Sequence, residues 1–156
     1  MIRLALGVLC AFGLCASPAS AVDSRWLANW TSPAFINRVI LDPARDTGWV
    51  TMRKEGADTW IYFTAMLYAR CAIDYVRYSI DSTKVNQFFE VPACDPEFPS
   101  ALPNSLALHE IGIKVGPPDV RTVSVQAVYV DGSRSDILTY APCPNAGSRT
   151  CAQRIH

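Results

Sequence analysis

Apolar and polar side chains alternate in short runs through most of the chain. In residues 72–81, Val76, Tyr78 and Ile80 fall on one side of an extended backbone, with Arg77 and Ser79 on the other. Residues 122–130 repeat the pattern, setting Val123, Val125, Ala127 and Tyr129 against Ser124 and Gln126. Asp131-Gly132 follows, a strong hairpin signal that predicts residues 135–140 as the partner strand. Residues 106–115 place Ile111, Ile113 and Val115 on one face and Glu110 and Lys114 on the other, which predicts another strand, with His109 in phase with the isoleucines. Residues 88–91 form a brief one.

The N-terminal half is less regular. Residues 49–53 and 59–68 flank a loop containing Gly56 and read as strand, hairpin, strand. Residues 60–68 are apolar on both faces. Their aromatic and β-branched content favours a central strand, while Ala65, Met66 and Leu67 keep a buried helix open. Residues 35–41 are a β-favouring run ended by Asp42-Pro43. Trp26 and Trp30, four apart, suit a short amphipathic helix or a packed arm. Residues 92–104 hold four prolines and read as an irregular loop, as does the tail from about 141. Seven or eight short strands without a long helix indicate an all-β, antiparallel β-sandwich or barrel and argue against parallel βαβ units.

The first residues change where this domain is placed. Arg3 precedes an apolar run over residues 4–16, then Ser17-Pro18 and Ala19-Ser20-Ala21. This is the pattern of a secretory signal peptide cleaved after Ala21. The run of about 13 residues is too short to span a bilayer. The remaining 135 of 156 residues suit a single domain. The predicted location is exported, periplasmic or secreted. Two of six cysteines fall in the leader, leaving Cys71, Cys94, Cys143 and Cys151. An even set in an exported chain predicts two disulfides, and nearest-neighbour pairing favours Cys71–Cys94 and Cys143–Cys151. A zinc site would need tight Cys-x-x-Cys pairs or nearby histidines, and the chain has neither. Basic and acidic residues balance at 14 each. That excludes nucleic acid as the main partner, and no later apolar run suits an integral membrane segment.

Two stretches resemble the immunoglobulin-like modules of exported bacterial proteins. Val76-Arg77-Tyr78-Ser79-Ile80-Asp81 looks like a strand end of such domains, and the stretch from Val125 through Gly132-Ser133 looks like their penultimate strand and hairpin. The resemblance implies an immunoglobulin-like sandwich and no chemistry.

Candidate chemistry is sparse. His109-Glu110 opens like a zinc-protease motif, but Ile113 stands where the second histidine is required. The chain lacks a Gly-x-Ser-x-Gly elbow and a phosphate-binding glycine loop, and oxidation would remove the thiols. No catalytic residue, metal site or cofactor is predicted. Asp95 and Glu97, with Asp81 and Asp74 nearby in sequence, form a weak carboxylate cluster. Trp26, Trp30, Trp49 and Trp60 form an aromatic group in the N-terminal half. The residues expected to meet a partner are Trp26, Trp30, Asp95, Glu97 and Phe98, the last three on the loop pinned by Cys94. The expected function is a non-enzymatic module binding a protein or glycan. A secreted hydrolase inhibitor and a carboxylate hydrolase are the alternatives. Intact-mass analysis of the protein recovered outside the cytoplasm should show a chain starting at Val22 with no free thiol.

Overall fold

The computed structural model describes residues 24–156, so the predicted leader, residues 1–21, lies outside the described residues. Among the described residues, eight strands form two antiparallel sheets. The first has the order β1-β2-β5, from Thr51–Glu55, Asp58–Tyr62 and Gly112–Val115. The second has the order β4-β3-β6-β7-β8. Its strands are β3 (Ile73–Ile80), β4 (Gln87–Glu90), β6 (Val123–Tyr129), β7 (Leu138–Pro142) and β8 (Ala152–Arg154). Met52 and Ile61 from the first sheet join Val76, Val125 and Tyr140 from the second in one buried apolar cluster.

The alternating runs in residues 72–81 and 122–130 became strands where expected. β3 and β6 pair from Ile80↔Val123 to Ile73↔Tyr129, with one irregularity near Ile73. β6 lies inside the sheet and is covered on both faces, so its polar Ser124 is also buried. Ser124 is satisfied by Thr139 on β7, Oγ to Oγ1 at 2.9 Å, as a buried hydroxyl requires. The Gly56 hairpin joins β1 and β2, with glycine at φ 62°. Asp131-Gly132 turns where predicted: Gly132 has φ 81°, and Asp131 Oδ1 accepts the Ser133 amide at 2.9 Å. The returning strand begins later than predicted, at Leu138, because Arg134 and Ser135 make only isolated contacts to β6.

Four expectations need correction. Residues 35–41 are not a strand: they form α2 (Pro33–Ile36) and a π-helical turn (Asn37–Leu41). Pro33 sits in the first helical turn, where its missing N–H costs nothing. The turn buries Ile36 and Leu41 and half-buries Ile40, so packing overrides β-propensity. The predicted strand 59–68 stops at Tyr62 and becomes α3 (Thr64–Tyr68), which buries Ala65, Met66 and Leu67. Residues 106–115 are strand only from Gly112, because α4 (Leu108–Ile111) precedes it, and His109 is therefore helical. The Glu110 carboxylate caps α4 by accepting the Ala107 amide at 2.7 Å. The tail from 141 is not wholly irregular: β7 runs to Pro142 and β8 pairs with it.

Glycine at 112 is obligatory, since a Cβ there would lie 2.2 Å from the Ile61 carbonyl oxygen. Only glycine allows the chain to pass from α4 directly onto β2.

The N-terminal segment is α1 (Ser24–Trp30), α2 and the π-helical turn. Polar bonds tie it to the second sheet. Tyr129 Oη donates to Asn37 Oδ1 and Tyr140 Oη to the Arg45 carbonyl, each at 2.5 Å. Trp49 is buried in the core and donates its indole N–H to the Leu41 carbonyl at 2.7 Å. Burial raises the pKa of Tyr78, Tyr129 and Tyr140 above the ordinary 10.0. A phenol that ionises more easily when unfolded stabilises the fold fully below pH 10 and loses that contribution as pH rises above it. The urea midpoint should therefore fall above about pH 10. The tyrosinate absorbance of these three rings should appear only with unfolding.

Candidate functional site

The 92–103 loop carries prolines at 92, 96, 99 and 103, so it lacks the amide donors for a ladder. Its shape comes instead from one buried cation. Arg70, two residues beyond α3, is only 2% exposed. Its guanidinium donates to the carbonyls of Ala101 at 2.6 Å, Ala93 at 3.2 Å, Phe98 and Pro99 at 3.3 Å, and Leu67 at 3.5 Å. Four of these five acceptors belong to the loop. Burial pulls the guanidinium pKa down from its ordinary value, and the Asp95 carboxylate pushes it partly back. The next residue, Cys71, is bridged to Cys94, as pairing by proximity predicts. The second bridge, Cys143–Cys151, also forms as expected.

Within the loop, Asp95 Oδ1 accepts the amides of Glu97 at 2.9 Å and Phe98 at 3.3 Å. The Ala101 amide donates to the Phe98 carbonyl at 3.1 Å. These bonds leave the Phe98 ring 61% exposed on an immobilised backbone. Asp95, Glu97 and Phe98 thus share one turn, but the Asp95 carboxylate serves that turn's backbone. Asp81 is likewise committed elsewhere, accepting the amides of Arg121 and Thr122 at 2.9 and 2.8 Å. Among the described residues, no three His, Cys, Asp or Glu side chains are placed to share a metal ion.

The tryptophans separate. Trp26 and Trp30 pack edge to face with centroids 6.2 Å apart, and Trp30 packs on Phe35 at 5.7 Å. Trp49 is core, as described above. Trp60 lies on the first sheet, parallel to Tyr62 within 7°, and donates its N–H to Glu55 at 2.7 Å.

Beside α1 runs an apolar groove of about 560 Å³, lined by Trp30, Val39, Ile40, Ala65, Tyr68 and Ser100 among others, none of them charged. Trp30 comes from α1 and Ser100 from the proline-rich loop, so two of the predicted contact regions meet here. Trp26 is 40% and Tyr68 43% exposed. Sequence reasoning missed Tyr68, Val39 and Arg70. For Arg70 a signal existed: a single charge inside the apolar stretch 65–73, adjacent to a cysteine.

No protein-family profile, curated protein or solved structure matches the chain. The site's chemistry must be read from its own residues.

Replacing Arg70 with alanine should cost about 3 kcal/mol, because it orphans several buried carbonyls at once. Arg70→Lys should recover only part of this, since one ammonium cannot reach the carbonyls a guanidinium fork reaches. Chemical denaturation of both variants with disulfides intact checks the order.

Proposed function

We propose that this protein is an exported, non-catalytic binding module of the immunoglobulin-like sandwich type. It holds a protein partner through the 92–103 loop and the adjoining aromatic groove. The observation that carries the reading is the Arg70 clamp, which together with Cys71–Cys94 holds an exposed Phe98 on a preformed backbone. A preorganised loop loses little entropy on association, and a rigid exposed aromatic is a typical anchor of protein interfaces. The groove's surface is mainly apolar and carries no charged side chain, which suits a protein partner better than a glycan.

The strand order supports the fold part of the proposal. With β1, β2 and β5 read as strands A, B and E, and β4, β3, β6 and β7 as C′, C, F and G, both sheets take immunoglobulin-like order, with β8 added beyond G. Two disulfides support a working place outside the reducing cytoplasm. No helix among the described residues is long and apolar enough to cross a membrane.

The inhibitor alternative takes a narrower form on this geometry. The Phe98 carbonyl accepts from Arg70, so it does not face outward as the scissile carbonyl of a substrate mimic would. Inhibition by this loop would act through the Phe98 ring filling a cleft.

Affinity capture with the oxidised protein, from the secreted or periplasmic fraction of its source, should recover a defined partner. Phe98→Ala should weaken that capture at least about tenfold, or 1.4 kcal/mol, with an unchanged melting temperature. If Phe98→Ala and a Gly-Ser replacement of the loop both capture the same proteins as strongly, the loop assignment is wrong.

A further inference from the structure

The outer face of β3 and β4 carries charge that the chain does not neutralise. Val76 and Phe89 point from these strands into the core, so Tyr75, Phe88 and Glu90 face outward. Asp74 joins them through a bulge. Ile73 pairs with Tyr129 and Tyr75 with Val128, so Asp74 is an extra residue with no partner of its own. In a regular strand Asp74 and Tyr75 would lie on opposite faces. The bulge instead turns both outward between the core residues Ile73 and Val76, the re-aiming that such an insertion produces.

The result is a hollow of about 440 Å³ lined by Asp74, Tyr75, Phe88, Glu90 and Val91. Tyr75 and Phe88 meet edge to face, with centroids 5.6 Å apart and planes at 64°. Phe88 is 62% exposed. Two carboxylates and two rings thus share one depression, and none of its lining residues is basic.

Elsewhere the acidic side chains are matched. Seven of them lie within 4.0 Å of an Arg or Lys nitrogen. Asp95, Glu110 and Asp131 accept nearby backbone amides. Among the described residues, Asp74, Glu90 and Glu97 are left with neither an ion pair nor a side-chain hydrogen bond, and two of these three line the hollow. Arg77, on the same face, does not neutralise them. Its guanidinium donates to Gln126 Oε1 at 3.1 Å and to the Val85 carbonyl at 2.7 Å. The adjoining hollow shares Phe88 and Glu90 and adds Glu110 and His109.

We propose that the hollow of Asp74, Tyr75, Phe88 and Glu90 receives an arginine side chain of a partner protein. Charge complementarity selects a cation, because an apolar or acidic occupant would bury two unmatched carboxylates. The rings select a guanidinium among cations. Its plane lies against an aromatic face while its fork of N–H groups donates to carboxylates arriving from two strands. An ammonium, compact and strongly hydrated, makes the charge contact without the stacked one. The hollow shares no lining residue with the groove beside Trp30, so it stands or falls apart from the loop surface.

A displayed library of random peptides tests this. Peptides are selected on the oxidised protein and depleted on Asp74→Asn/Glu90→Gln, which removes both charges and keeps the shape. The survivors should carry arginine, and should bind the double variant at least about tenfold more weakly than wild type. Exchanging that arginine for lysine should weaken binding measurably, and Phe88→Ala should weaken it on the protein side. Added salt should weaken it too. Asp136→Asn removes a carboxylate from the Arg45 pair elsewhere and should leave binding unchanged, which separates a site from overall charge. Asp74, Phe88 and Glu90 are exposed, so all these variants should keep the wild-type melting temperature. No survivors, survivors without arginine, undiminished binding after arginine to lysine or Phe88→Ala, or an equal loss in Asp136→Asn would overturn the proposal.

Discussion

A guanidinium taken out of water must find acceptors for its N–H groups, and at Arg70 those acceptors are backbone carbonyls. The acceptors lie 23 to 31 residues further along, apart from Leu67 three residues back. A proline-rich segment with no ladder to join is thereby drawn back against the end of α3. Cys71 follows Arg70 and Cys94 follows Ala93, so the clamp and the bridge grip the same two points of the chain. Each favours the other: the guanidinium brings the cysteines together, and the bridge keeps the carbonyls within its reach. The exposed Phe98 and the position of Ser100 at the apolar groove both follow from that grip.

The rest of the molecule shows an asymmetry between its sides. On one side the two sheets are stitched together: the Cys151 amide donates to the Met52 carbonyl at 2.8 Å, and the Arg154 amide to the Asp46 carbonyl at 2.9 Å. The 42–48 turn and the Cys143–Cys151 loop thus occupy the free edges of β8 and β1. On the other side, between β4 and β5, no comparable bond is made among the described residues. Edges left without strand partners invite pairing, so their management on one flank and not the other is a physical difference between the two flanks.

Much of the sheet framework was legible in the sequence because its signals are local. Alternation in residues 72–81 and 122–130 and the glycines at 56 and 132 each act over a few residues, and the cysteines at 71, 94, 143 and 151 pair with their nearest neighbours in sequence. The helices were hidden for the opposite reason. Residues 35–41 and 64–68 are rich in residues that suit a strand, and only the core they meet selects a helix. Trp26, Trp30 and the Asp95 to Phe98 turn were legible as surface candidates. That Trp30 and Ser100 share a groove was not, because Val39, Ile40 and Tyr68 between them come from segments misread as strand. Arg70 stands out as a lone charge in an apolar stretch, but its role was hidden because its partners are carbonyls, which every residue carries and no sequence pattern marks.

The two disulfides join neighbours in the order of the chain: the first described cysteine to the second, and the third to the fourth. For any chain that meets an oxidant N-terminus first, the bridges formed in order of arrival are the native ones. Among the described cysteines, Cys71 has only Cys94 to meet before Cys143 emerges. Of the three pairings four cysteines allow, the fold uses the one that vectorial oxidation makes without later exchange. In such a chain the bonds among these four cysteines would follow sequence order, leaving a disulfide isomerase little to correct.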